Sequence, residues 1–216
     1  MENMSYILFI CVVAPMLSLL LVAEPKMRRG VIFLLTGMFC CMFVSEINGI
    51  LYSVLDTDTF YLTTSVTPIT EELVKSMPVF LFALVFSDKQ EDLLPVAFFV
   101  GIGFAVMENL ILLTQNFGEV TLFWSIVRGF ASGLMHGICT GMVGLCISFI
   151  RKKKKLFYCG IVATYNVAMV YHAVFNSLVS ANQLWLNYLG FVLPILAYLP
   201  IVVMVSKQRK LRKQGA

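Results

Sequence analysis

Charge is what this sequence has least of. Asp, Glu, Lys and Arg make up 13% of its 216 residues, against 59% hydrophobic ones and a mean hydropathy of +0.88. Soluble domains carry about 25% charged residues, so a polytopic membrane protein is the class that remains. Other absences narrow it further. No glycine-rich nucleotide motif occurs, and no HExxH. The six cysteines (Cys11, Cys40, Cys41, Cys139, Cys146 and Cys159) make no CxxC pair and fall within or beside apolar runs. They read as buried thiols, neither a disulfide framework nor a zinc site. No internal repeat shows, which counts against transporters built on inverted repeats. Before the first apolar run there is no Lys or Arg, and Glu2 is the one charge, so that run reads as a retained helix and not as a cleaved signal. The basic run Arg-Lys-Lys-Lys-Lys at 151–155 is too short and too close to the membrane to suggest nucleic acid. The bilayer, with its anionic lipid, is the expected partner there.

A helix needs about 20 apolar residues to cross the hydrocarbon core. By that measure the chain is all-α, a transmembrane bundle of seven spans at roughly 5–23, 30–54, 64–86, 93–115, 121–149, 156–179 and 184–205. Short connections leave one membrane domain over residues 1–216. The third span has a ragged start, because Pro68 follows a Thr/Ser-rich stretch. Alternate connections collect Lys26, Arg28 and Arg29, then Lys89, then the run at 151–155, then Lys207, Arg209, Lys210, Arg212 and Lys213. The remaining connections carry no Lys or Arg. The positive-inside rule places the N-terminus outside and the C-terminus in the cytoplasm.

Against this background the polar residues within spans stand out, since a charge at the bilayer centre costs about 2.5–3.5 kcal/mol. Glu71, Glu72 and Lys75 open the third span. Glu71 and Lys75 are one turn apart and can pair, while Glu72 lies about 100° round. A solvated helix entrance is the alternative, as Pro68 and acids suit a first turn. The fourth span carries Phe104 and Glu108 on one face, Asn109 beside them, and Gly101 and Gly103 for close helix approach. The fifth has a ridge of Gly129, Gly133, Gly137 and Gly141, read as packing, beside a polar stripe of Arg128, Ser132, His136 and Thr140. The sixth places His172 and Asn176 on one face, either an interhelical hydrogen bond or a donor pair for an oxyanion. With Glu46 included, four acids face two bases, an imbalance that protonation, a charged histidine or a metal cation can relieve. At about 1.5 Å per residue, Glu108, His172 and Asn176 lie in the outer half of their spans. Glu46 has no place in this group beyond structural pairing.

Taken jointly, EExxK at Glu71, Glu72 and Lys75, GFAxxEN from Gly103 to Asn109, Arg128 with a glycine-flanked His136, and His172 with Asn176 resemble the PrsW family of intramembrane proteases, relatives of the CAAX-processing and bacteriocin-immunity (ABI) membrane proteases. The resemblance covers about residues 68–177, together with Ala14-Pro15 in the first helix; Asn176 stands where the best-known members carry aspartate. It implies a site-1 type cut on the extracytoplasmic side of a single-span membrane protein such as an anti-sigma factor. Peptide hydrolysis needs an activated water, a polarised carbonyl and a proton for the leaving amine. The expected roles give the water to Glu71 or Glu72 with Glu108 or His136 assisting, the biasing of the carboxylates to Lys75 and Asn109, and the oxyanion to His172 with Asn176. Arg128 and Phe104 support them. The ABI relatives favour a metal-free glutamate mechanism, which is the preference here; possible zinc would sit on His136, His172 and Glu108 with Glu72 as base. The competing class is a transporter or proton relay, which would spread its polar groups through the membrane thickness.

Overall fold

A computed structural model describes residues 4–118, 120–150 and 154–214, with the side chains at 154–157, 204 and 207–214 left out. Most of the basic run at 151–155 and the basic side chains after residue 206 therefore lie outside the described residues. All regular structure among the described residues is helical: α1 (Met4–Val22), α2 (Pro25–Val54), a short α3 (Thr59–Tyr61), α4 (Thr67–Val85), α5 (Gln90–Gln115), a short α6 (Leu122–Ile126), α7 (Gly133–Ile150), α8 (Lys154–Val179) and α9 (Leu184–Gln214). Two π-helical segments, Leu62–Val66 and Val127–Ser132, join α3 to α4 and α6 to α7. Six helices are long and apolar enough to span a membrane, with Leu122–Ile150 counted as one. The seventh is α4, which carries Glu71, Glu72 and Lys75. Seven long helices stand where the seven spans were expected, six of them apolar enough to cross, and the ragged start of the third is the π turn.

The centre of the bundle is α5, and glycines set how close its neighbours come. A Cβ on Gly37 of α2 would strike the Val100 carbonyl oxygen, and one on Gly103 of α5 would strike that of Leu34. On the other side, a Cβ on Gly101 would lie 2.5 Å from the His136 carbonyl oxygen. The α2, α5 and α7 backbones thus meet directly, a contact that only glycine permits. The expected ridge on α7 divides. Gly137 and Gly141 seat the Phe98 ring and Gly144 extends the row onto Ala97, whereas Gly129 and Gly133 face open space. Gly129 lies inside the π segment and Gly133 directly follows it, at the start of α7, ahead of the part of α7 that packs on Phe98.

Successive helices alternate in direction, so the connections fall at two ends. At one end α2 and α5 begin, and Arg29 pairs with Asp92 at 2.9 Å. At the other, α2, α5 and α8 finish and α4 starts. The thiols are free, as expected, but Cys11 and Cys159 are exposed and not buried; both lie on faces with no neighbouring helix to cover them. Glu46 also points outward, where it accepts a hydrogen bond from Tyr6 Oη of α1 at 2.6 Å.

Candidate active site

Three helices bring ionisable groups to one buried point, and a fourth lends a ring and a carboxylate. From α4, Lys75 Nζ donates to Glu72 Oε1 at 2.7 Å and lies 3.7 Å from Glu71 Oε2. The closer partner is Glu72, three residues back, and not the expected Glu71. Lys75 also donates to His136 Nδ1 of α7 at 2.7 Å. From α8, His172 Nδ1 lies 2.8 Å from Glu72 Oε1. From α5, Phe104 sets its ring beneath the ammonium, 4.4 Å from Nζ, a cation–π contact that also touches the His136 ring. Lys75, His136 and His172 are completely buried, and Glu71 and Glu72 nearly so.

Hydrogen-bonding capacity fixes the roles of the rings. An ammonium can only donate, so for a neutral imidazole His136 Nδ1 accepts and Nε2–H donates to Glu108 Oε2 at 3.2 Å. A carboxylate can only accept, so His172 donates through Nδ1–H and its Nε2 carries the lone pair. That Nε2 is buried without a hydrogen-bond partner, as is Glu71 Oε2. The two unpartnered atoms lie 3.8 Å apart. His136 Nδ1 is 3.9 Å from the same Glu71 oxygen. Ligand atoms of Glu71, His136 and His172 all fall within 4.8 Å of one another, the spacing of a group able to close on one cation.

Glu108 stands at the wall, less buried than the others. Its contacts, to Arg128 Nη2 at 3.0 Å, to His136 Nε2 and to Ser132 Oγ at 3.4 Å, all use Oε2. Glu71, Glu108, Arg128 and Asn176 line a cavity of about 440 Å³ shared with Ser45, Asn48, Tyr52, Thr63, Thr67 and Gln115. Most of these residues lie at the end of the bundle where α2, α5 and α8 finish, so the cavity belongs to that end.

Two expected site residues do something else. Asn109 Nδ2 donates to the Arg128 backbone carbonyl at 3.0 Å rather than biasing a carboxylate. Asn176 Nδ2 donates to the Thr63 carbonyl at 3.0 Å. His172 spends its N–H on Glu72, so the structure does not join His172 and Asn176 as an oxyanion pair. In the polar stripe of α7, Thr140 turns back to the His136 carbonyl and leaves the group. Conversely, Asn48 is a buried cavity residue that sequence reasoning passed over; it accepts from Thr70 Oγ1 at 2.7 Å. Its signal was available: Cys41, Ser45, Asn48 and Tyr52 recur at helical spacing and all line the cavity.

The model of a family described as "PrsW family intramembrane metalloprotease" matches residues 24–205. The chain belongs to the PrsW family. No curated protein and no solved structure matches it. Membership makes this PrsW chain a multi-pass membrane peptidase and implies a metal. The donor set fits one: an unpartnered carboxylate oxygen and an unpartnered imidazole nitrogen face each other in a buried pocket, with a second imidazole beside them. In this grouping Glu71 stands where Glu108 was expected. Glu108 is held away by Arg128.

Proposed function

We propose that this chain is a metal-dependent endopeptidase that makes a site-1 type cut in a single-span membrane protein, such as an anti-sigma factor, near the extracytoplasmic face. The single observation that carries it is the facing pair of buried, unpartnered ligand atoms, Glu71 Oε2 and His172 Nε2, beneath a polar cavity. Glu71, His172 and His136 would hold the cation, and the fit turns the preference for a metal-free site toward a metal-holding one. A bound zinc supplies Lewis acidity at a scissile carbonyl and at water.

The chain's own groups do the rest. Glu72 accepts from His172 Nδ1–H, which fixes the ring and leaves Nε2 as the ligand atom, the carboxylate–histidine pairing that orients metal-binding imidazoles. Lys75 balances the paired glutamates and vacates His136 Nδ1 when that nitrogen is needed as a ligand. Glu108 is the proton acceptor, because its Oε1 takes no part in the contacts that anchor Oε2. It returns the proton to the leaving amine. Arg128 is the oxyanion donor: its Nε is buried without a hydrogen-bond partner beside the cavity, while Nη2 stays with Glu108 at 3.0 Å. Cleavage on the outer side follows from combining the cavity's end of the bundle with the loop charges, which put the opposite end in the cytoplasm.

The test is purified protein in detergent with a single-span peptide. We expect cleavage near one end of the span, loss of activity with a strong chelator and recovery on return of zinc. Activity untouched by complete metal removal overturns the metal assignment. A topology reporter active only outside should work after Gly118 and fail after Lys154; the reverse result places the cut on the cytoplasmic face.

A further inference from the structure

The two asparagines that leave the reactive group share an unusual target, for each donates into a π-helical segment. Asn176 of α8 reaches the Thr63 carbonyl in Leu62–Val66, and Asn109 of α5 reaches the Arg128 carbonyl in Val127–Ser132. Each segment lies a few residues ahead of reactive side chains, Glu71 and Glu72 on α4 and His136 on α7.

The sequence explains why Thr63 needs outside help. In the π register the Thr67 N–H bonds the Leu62 carbonyl, five residues back. The next bond in that register would run from residue 68 to Thr63, but residue 68 is proline and has no N–H. A backbone carbonyl that loses its helical donor needs another partner, and Asn176 Nδ2 supplies the missing bond. At the second turn the Gly133 N–H, five residues on from Arg128, goes to the Phe130 carbonyl. Asn109 Nδ2 serves Arg128 in its place. One π turn adds a residue to the ladder and rotates the downstream helix by about 100° relative to the upstream one. The angle at which α4 presents its glutamates, and α7 its histidine, therefore depends on each turn holding.

We infer that Asn176 and Asn109 are positioning residues, paired clamps that hold the π turns in register so that Glu71, Glu72 and His136 meet His172. The activity arm of this inference rests on the protease reading; the structural arm does not.

The experiment compares four full-length proteins in detergent: wild type, Asn176→Ala, Pro68→Ala and the double variant. Two readouts are used, amide hydrogen exchange across the chain and kcat and KM on one peptide. Asn176→Ala should speed exchange in residues 59–70 with the remainder unchanged, and lower kcat by about 10–100-fold, the usual cost of losing an orienting partner, with KM held. Pro68→Ala returns a backbone donor to this turn. In that background the asparagine loss should shrink to within about threefold and add no local exchange. Asn109→Ala should raise exchange only in residues 122–134. Equal losses in both backgrounds would mean that Asn176 touches the reacting groups itself, and exchange that rises everywhere would mean that it merely holds the fold; either overturns the clamp. If wild type cleaves nothing, the protease reading falls, and exchange in the same four proteins still decides the clamp.

Discussion

The two ends of this bundle hold charge in opposite ways. At one, Arg29 and Asp92 meet at 2.9 Å with 49% and 31% of their side-chain surface open. At the other, Lys75 and Glu72 meet at 2.7 Å with 0% and 1% open, and Glu71, His136 and His172 are buried around them. The distances are nearly the same, but the energetics are not. An exposed pair is worth roughly 0–1 kcal/mol and costs little to make. Moving an ion out of water costs several kcal/mol even after relaxation. A chain of 59% hydrophobic residues has cheaper ways to join helices. The open pair is thus a fastening between two connections, and the buried group is where the chain carries a cost for chemistry. Three carboxylates, Glu71, Glu72 and Glu108, share two cations there, Lys75 and Arg128. The surplus negative charge is what a bound cation would relieve.

The largest effect that would test this contrast is on catalysis. Glu71→Ala and His172→Ala should abolish cleavage while abundance and membrane insertion stay at wild-type levels. Glu72→Gln should lower it by about 10–100-fold, since Glu72 acts on the metal site through the orientation of His172. Bound zinc, measured alongside, should disappear in the first two variants. Purified Glu71→Ala that still cleaves would remove Glu71 from the site.

Next comes stability. Lys75→Met takes away a buried cation that touches both Glu71 and Glu72, and it should cost about 3–5 kcal/mol, as breaking a buried pair does. The readout is the midpoint of unfolding in detergent. Adding Glu72→Gln to Lys75→Met should restore part of the loss, because the orphaned charge goes with it. No loss in the single variant would mean that the carboxylates do not depend on the lysine, and the buried end would then be no more demanding than the open one.

How far the sequence foretold this is uneven for physical reasons. Seven long helices were legible, because length and hydropathy are local properties. Glu71, Glu72, Lys75, Glu108, His136 and His172 were legible as a group because each is expensive in an apolar run. Glu46 sends the same signal, yet its partner is Tyr6 on an outward face; which side of a helix faces the bundle is not written in one residue. The π turns leave no mark in composition, and only Pro68 hints at one. The actual contacts of Asn109 and Asn176 were out of reach, because both acceptors are backbone carbonyls on other helices. Gly129 and Gly133 show the same limit: the four-residue repeat is regular in sequence, yet of its members only Gly137 and Gly141 meet a neighbouring helix.

The smallest effect belongs to the open end, and it sharpens the contrast from below. Arg29→Ala and Asp92→Asn should each leave cleavage within about twofold of wild type, and their coupling in a double-mutant cycle should stay under about 1 kcal/mol. The cycle is needed because neither residue has one partner only. Asp92 also accepts from Ser87 Oγ at 2.8 Å, and the Arg29 guanidinium lies 5.6 Å from the centre of the Phe82 ring. Arg29→Ala therefore loses packing as well as charge, and its single effect should exceed that of Asp92→Asn. Raising the salt concentration should shrink the coupling further, since both side chains meet water and its counterions. A coupling of several kcal/mol, insensitive to salt, would show that this end too is sealed from solvent. The difference between the two ends would then be one of residue type rather than of burial.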